Sequence, residues 1–133
     1  VSGAEKIHAP IDADEATIHR PALAMLHRLG GDELVGEIIG VFLANTPALI
    51  EAARLGAEAG EHERVRRALH SLKSSSGQLG AVRMERLCAE GEMLAAHGDR
   101  MVLTSLVNEL EVEFAVVRVR MEEIVRSNLS QSL

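Results

Sequence analysis

Six histidines, one cysteine and 20 carboxylates carry the reactive side chains of this chain, and one histidine stands out by its neighbours. The segment reads Ala68-Leu69-His70-Ser71-Leu72-Lys73-Ser74-Ser75-Ser76-Gly77-Gln78-Leu79-Gly80. Val65, Leu69, Leu72, Ser76 and Leu79 recur at spacings of 4, 3, 4 and 3, which fixes the phase of an amphipathic helix. His70 lies one residue past the stripe, about 100° round the helix, so it projects beside the core rather than into it. Lys73, Ser74 and Gly77 follow three, four and seven residues later and share its face. A neutral imidazole nitrogen can attack phosphorus and become a covalent carrier. Lys73 can offset charge on phosphoryl oxygens, Ser74 can donate a hydrogen bond, and Gly77 leaves room for an approaching partner. Arg66 and Arg67, one turn upstream, are expected to add to the positive field. Spacing alone also fits an ordinary solvated helix face. Three serines and a glycine lower helix propensity without structural gain, unless they permit close packing, as Ser76 on the core stripe would.

Other chemistries find little support. Neither a phosphate-cradling glycine loop nor a dinucleotide fingerprint is present, so no means of using ATP is visible. No zinc pattern occurs around the single cysteine, and no cofactor or metal is expected in the chain itself. Lys and Arg number 14 against 20 Asp and Glu, a net charge of −6, which argues against duplex nucleic acid as a partner. Cys88 has no internal disulfide partner and reads as a small core residue. His19, His27 and His97 read as surface or helix-end residues, and Phe42 and Phe114 as core anchors. No apolar run approaches the about 18 residues of a membrane span, so no direct membrane contact is expected. The chain opens on Val1-Ser2-Gly3 rather than Met, and the expectation is a piece of a longer protein.

The elements needed to hold His70 follow from periodicity. Hydrophobic residues make up 47% of the 133, almost all aliphatic, which suits one domain of packed helices. A polar lead-in covers 1–19. Pro21 opens a short helix that ends at Gly30-Gly31, and Asp32 is expected to cap the next. That helix runs to about Ala59 with Leu34, Ile38, Val41, Phe42, Leu49 and Ala52 inward, and Pro47 should bend or divide it. His62–Leu79 follows, then Ala81–His97 through Val82, Met84, Leu87, Cys88 and Leu94. The last helix runs from Asp99 to about Ser127, with Leu103, Leu106, Leu110, Phe114, Val117, Met121 and Ile124 inward. Loops this short make neighbouring helices antiparallel. The expected fold is all-α: an antiparallel up-and-down four-helix bundle over 20–127, with a short additional N-terminal helix and a frayed tail at 128–133.

The run from His70 to Gly80 resembles the signature of histidine-containing phosphotransfer (HPt) domains of bacterial multistep phosphorelays. That signature is His, any residue, a hydrophobic residue, Lys, usually Gly, several small residues, then Gly. The likeness extends to Leu23-Ala24-Met25-Leu26 with Leu29-Gly30-Gly31-Asp32, to Ile39–Pro47 with its Phe42-Leu43 and Thr46-Pro47, and to Ala81–Ala95 with Leu87 and Glu92. It spans roughly residues 20–125. It implies that His70 is the phosphorylated residue, that Lys73 assists it, and that Gly77 is the small residue beside the imidazole. Gln78 would be a polar residue near the phosphoryl site and Gly80 the glycine closing the helix. Ser74 departs from the usual glycine, and Gly91 stands where leucine is common. The resemblance further implies a carrier rather than an enzyme, taking a phosphoryl group from one response-regulator receiver aspartate and giving it to another. One of these receivers could lie in the same parent hybrid kinase. The Mg2+ required would belong to the receiver. A cytoplasmic monomer is expected, with a parent protein anchored in the inner membrane if the domain ends a hybrid sensor kinase. A scaffold bundle docking receivers without chemistry is the main alternative. A phosphohistidine phosphatase fits less well, because no water-activating group lies near the motif.

Overall fold

The computed structural model describes residues 17–132. Four helices follow in order: α1 (Arg20–Ala59), α2 (His62–Gln78), α3 (Val82–Ala95) and α4 (Arg100–Ser132). Among the described residues there is no strand. α1 packs on α2 and α4, and α3 packs on α2 and α4, so the four close into a ring with α2 and α4 on its diagonal. The short connections and this neighbour order give the expected up-and-down bundle.

The additional N-terminal helix is present as the first limb of α1. Its backbone leaves helical geometry only at Gly30 and Gly31, the latter at φ +69. The helix then continues unbroken through Pro47, where the sequence suggests a bend or boundary. Here Thr46, buried next to the proline, turns its hydroxyl back to donate to the Phe42 carbonyl at 2.6 Å. Asp99 caps α4, accepting from the Val102 amide at 3.1 Å.

The core of α2 is the stripe read from the sequence: Val65, Leu69, Leu72, Ser76 and Leu79 are all buried. The seven α4 residues expected inward are also buried, together with Val107. The α1 stripe is a correction. Val35, Ile39, Phe42, Thr46, Ile50, Ala53 and Ala57 face the core, one residue on from most of those expected. Val41 is exposed, while Leu34, Ile38, Leu49 and Ala52 are only half-buried. Large aliphatic residues dominate any reading by hydrophobicity, but close helix packing is served by the Ala, Gly and Thr on the adjacent ridge. By length and composition α1 could cross a membrane. Its buried stripe is instead occupied by the bundle.

Both ends of the domain are more structured than the sequence suggests. Of the lead-in, residues 1–16 lie outside the described residues, but Thr17 and Ile18 are buried and Ile18 is fully enclosed. The His19 amide donates to the Gly80 carbonyl at 2.7 Å, strapping this segment across the α2–α3 turn. Gly80 has φ +76, and a side chain there would meet the His19 carbonyl at 2.5 Å. Glycine is therefore required at this corner both for conformation and for space. At the other end α4 remains helical through Ser132, beyond the boundary expected at Ser127.

Candidate functional site

Close approach of α3 to α2 positions the site. Gly91 is buried on the α3 stripe between Met84, Cys88 and Ala95, and a side chain there would run into Leu69 and Leu106. The missing volume is thus filled by leucines from α2 and α4. Because Gly91 abuts Leu69, the residues one step on from each, Glu92 and His70, meet on the same flank.

His70 is exposed, and its Nδ1 donates to Glu92 Oε2 at 2.9 Å. Lys73 Nζ pairs with the other oxygen, Glu92 Oε1, at 2.7 Å. Burial tends to raise the Glu92 pKa, but the hydrogen bonds from Lys73 and His70 prevail and hold the carboxyl below the usual range. Glu92 is therefore ionised at neutral pH. An ionised carboxylate only accepts, so Nδ1 carries a proton, and Nε2 is the nitrogen left with a lone pair whenever the ring is neutral. Glu92 enters the sequence reading only as part of the resemblance of its helix, with no role at the site. One acid among 20 carries no signal alone; only the Leu69–Gly91 register, across 22 positions, singles it out.

Ser74 and Gln78 are exposed and Gly77 is half-buried, and with His70 and Lys73 they line one open concavity. The Glu85 carboxylate of α3 lies where a Cβ of Gly77 would be, with Oε2 at 2.7 Å, so the space admits an acid of the same chain. The serines divide their roles. Ser76 is in the core, Ser75 donates to the carbonyls of Ser71 and Leu72 at 3.2 and 3.3 Å, and Ser74 faces solvent. Arg66 is bound to Glu63 at 2.7 Å, and Arg67 approaches the same carboxylate at 3.9 Å. The hydrogen bond from Arg66 holds Glu63 below its ordinary pKa. Much of the positive field expected upstream of His70 is thereby neutralised.

Beside this site runs an apolar groove between α1 and α2, lined by Leu34, Ile38, Val41 and Leu49 with Ser71, Ser75 and Gln78. Of the six α1 residues that the sequence placed in the core, all but Ala52 line it. Among the described residues, no group of three or more His, Cys, Asp or Glu is arranged to hold a metal. Cys88 is buried, and its thiol is pushed up to about 12, chiefly by burial. It is an inert core residue.

Comparison with known proteins agrees with this geometry. The Hpt domain family profile matches residues 37–124. Histidine-containing phosphotransfer protein B (HptB) from Pseudomonas aeruginosa PAO1 is 25% identical and superposes with a TM-score of 0.78, covering 84% of this chain and 96% of its own. The HPT domain of the Hpt sensor hybrid histidine kinase from Shewanella shares the fold at 17% identity and a TM-score of 0.71, covering 85% of this chain and 97% of its own. No curated protein matches the sequence. A bundle of this form, with an exposed histidine and lysine joined through one carboxylate and a profile match across all four helices, belongs to the Hpt domain family, whose members are phosphotransfer carriers of phosphorelays that interact with receiver domains.

Proposed function

We propose that Nε2 of His70 accepts a phosphoryl group from the aspartyl phosphate of a receiver domain and passes it to the aspartate of another response regulator. The carrying observation is the 2.9 Å contact of Nδ1 with Glu92, which leaves Nε2 as the nucleophile. On acceptance the acyl P–O bond breaks, the N–P bond forms and the aspartate leaves as carboxylate. The ring then bears positive charge, which Glu92 stabilises from the far side. Transfer to the second aspartate reverses these changes. Such transfer depends on positioning and charge compensation more than on covalent chemistry by the protein.

Lys73 meets the phosphoryl oxygens by rotating from the Glu92 carboxylate it holds at 2.7 Å. Ser74 and Gln78 offer hydrogen bonds at the rim, Gly77 leaves beside it room that the exposed Glu85 side chain borders, and Gly80 fixes the end of α2. The adjacent α1–α2 groove is apolar and supplies the surface on which a receiver would seat itself, bringing its own Mg2+. A cytoplasmic location is proposed to follow from these partners, whether the parent is free or anchored in the inner membrane.

The test is labelling from a phosphorylated receiver. The wild-type chain should gain acid-labile, base-stable phosphate, and His70→Gln should gain none while staying folded. Equal labelling of the substituted protein would sink the proposal. Lys73→Ala should stay folded and transfer more slowly; an unchanged rate removes Lys73 from the mechanism.

A further inference from the structure

On α4 the face turned away from the core carries Val112, Ala115, Val116 and Val119, all exposed, with Val112 at 68% and Val119 at 56%. Spaced 3, 1 and 3, they form an apolar ridge on a helix that is charged on both sides. The charges are segregated along the chain. Glu111 and Glu113 flank Val112, whereas Arg118 and Arg120 flank Val119. The segment Glu111-Val112-Glu113-Phe114-Ala115-Val116-Val117-Arg118-Val119-Arg120 is therefore antisymmetric in charge and symmetric in hydrophobicity about a point between Ala115 and Val116. That point falls at the middle of α4.

We infer that the outer face of α4 pairs with a second copy of this chain, the two helices antiparallel about a two-fold axis at Ala115–Val116. In that arrangement Val112 meets the other copy's Val119, Ala115 meets Val116, and each acidic end lies against a basic end. A parallel pairing would set Glu111 and Glu113 against themselves, and the arginines likewise, so the charge order selects the antiparallel one. The interface is isologous and closes at two copies. Centring the axis on a helix ~50 Å long lets the two copies overlap along its full length. The groove between α3 and α4, lined by Leu87 and Val112 with Arg83 and Arg86, widens the same surface.

Of the flanking charges, Glu111 and Arg118 are the exposed ones, while Glu113 is half-buried and Arg120 pairs with Glu123 at 3.3 Å within its own helix. Glu111 binds Arg54 at 2.6 Å yet its side chain is half exposed, and Arg118 lies across the Phe114 ring at 4.9 Å with its face to solvent. α2 stands diagonally across the ring from α4. The dimer therefore presents its two His70 faces at opposite extremes, and two receivers can be engaged together. A dimer replaces the monomer that the sequence alone suggests.

Sedimentation equilibrium from micromolar to millimolar chain tests this, with helicity followed to confirm folding. The wild type should show a reversible dimer. Glu111→Lys makes one flank wholly basic and Arg118→Glu makes it wholly acidic, so each variant alone should dimerise about tenfold more weakly. Mixed together they should restore the wild-type affinity as a heterodimer. Independently, Val116→Cys near the axis should oxidise to a linked dimer faster than Val41→Cys on α1. A monomer at every concentration, a mixture no tighter than its components, or equal cross-linking at the two positions would overturn the inference.

Discussion

The α1–α4 and α2–α3 pairs hold the same bundle together by opposite means. Between α1 and α4 the contact is made by bulk: Phe42 and Phe114 meet edge to face, centroids 6.0 Å apart, with Arg54 and Glu111 paired at the surface. Between α2 and α3, Leu69 packs into the space left by Gly91, and small residues, Ala68, Ser76 and Cys88, are buried on the two helices. Bulk supplies apolar burial, and the core tolerates small errors of register there. Small residues supply closeness, which is what brings Glu92 within reach of both His70 and Lys73. One pair stabilises the fold, and the other gives up volume to fix a register on which chemistry depends.

Truncating the bulky pair should have the largest effect on stability. Phe114→Ala should destabilise by about 3–5 kcal/mol, read as a lower urea midpoint, while the folded fraction still takes phosphate at the wild-type rate. A phosphotransfer defect in that folded fraction would show that the two halves are not separable. Gly91→Leu should cost about 1–3 kcal/mol through overpacking. Because it pushes α3 away from α2, it should slow phosphoryl acceptance further than its stability loss explains. Were the rate unaffected, register would not be what the small residues provide.

Glu92→Gln should leave stability within about 1 kcal/mol, since its partner His70 is largely exposed, yet slow acceptance about tenfold by weakening support of the charged ring. The smallest effect concerns pH. The Glu92 carboxyl is depressed below 4.5, so its contribution is complete above that value and is lost as pH falls through the lower, folded one. Its carbon resonance in NMR should therefore titrate below 4.5. A midpoint above 4.5 would mean that the Lys73 and His70 hydrogen bonds do not prevail over burial.

Much of the α2 face was legible because one strict stripe set the phase of every residue on it, and His70, Lys73 and Gly77 fell into place together. The α4 stripe was legible for the same reason. α1 was not, because two adjacent ridges are both apolar and the smaller one is buried. Ile18 was hidden in a polar segment, where one aliphatic side chain has no periodicity to announce it. The partnership of Glu92 with His70 depends on how two helices slide against each other, which no single-helix pattern encodes. The occupation of the Gly77 space by Glu85 is of the same kind.

Leu69, Gly91 and Leu106 occupy one shared volume, and this bears on how the sequence can change. Enlarging position 91 alone meets two leucines from two other helices. A homologue with leucine at 91 should therefore carry a smaller residue at 69 or 106. The path between such sequences passes through a destabilised or under-filled intermediate, so the three positions are expected to vary as a set.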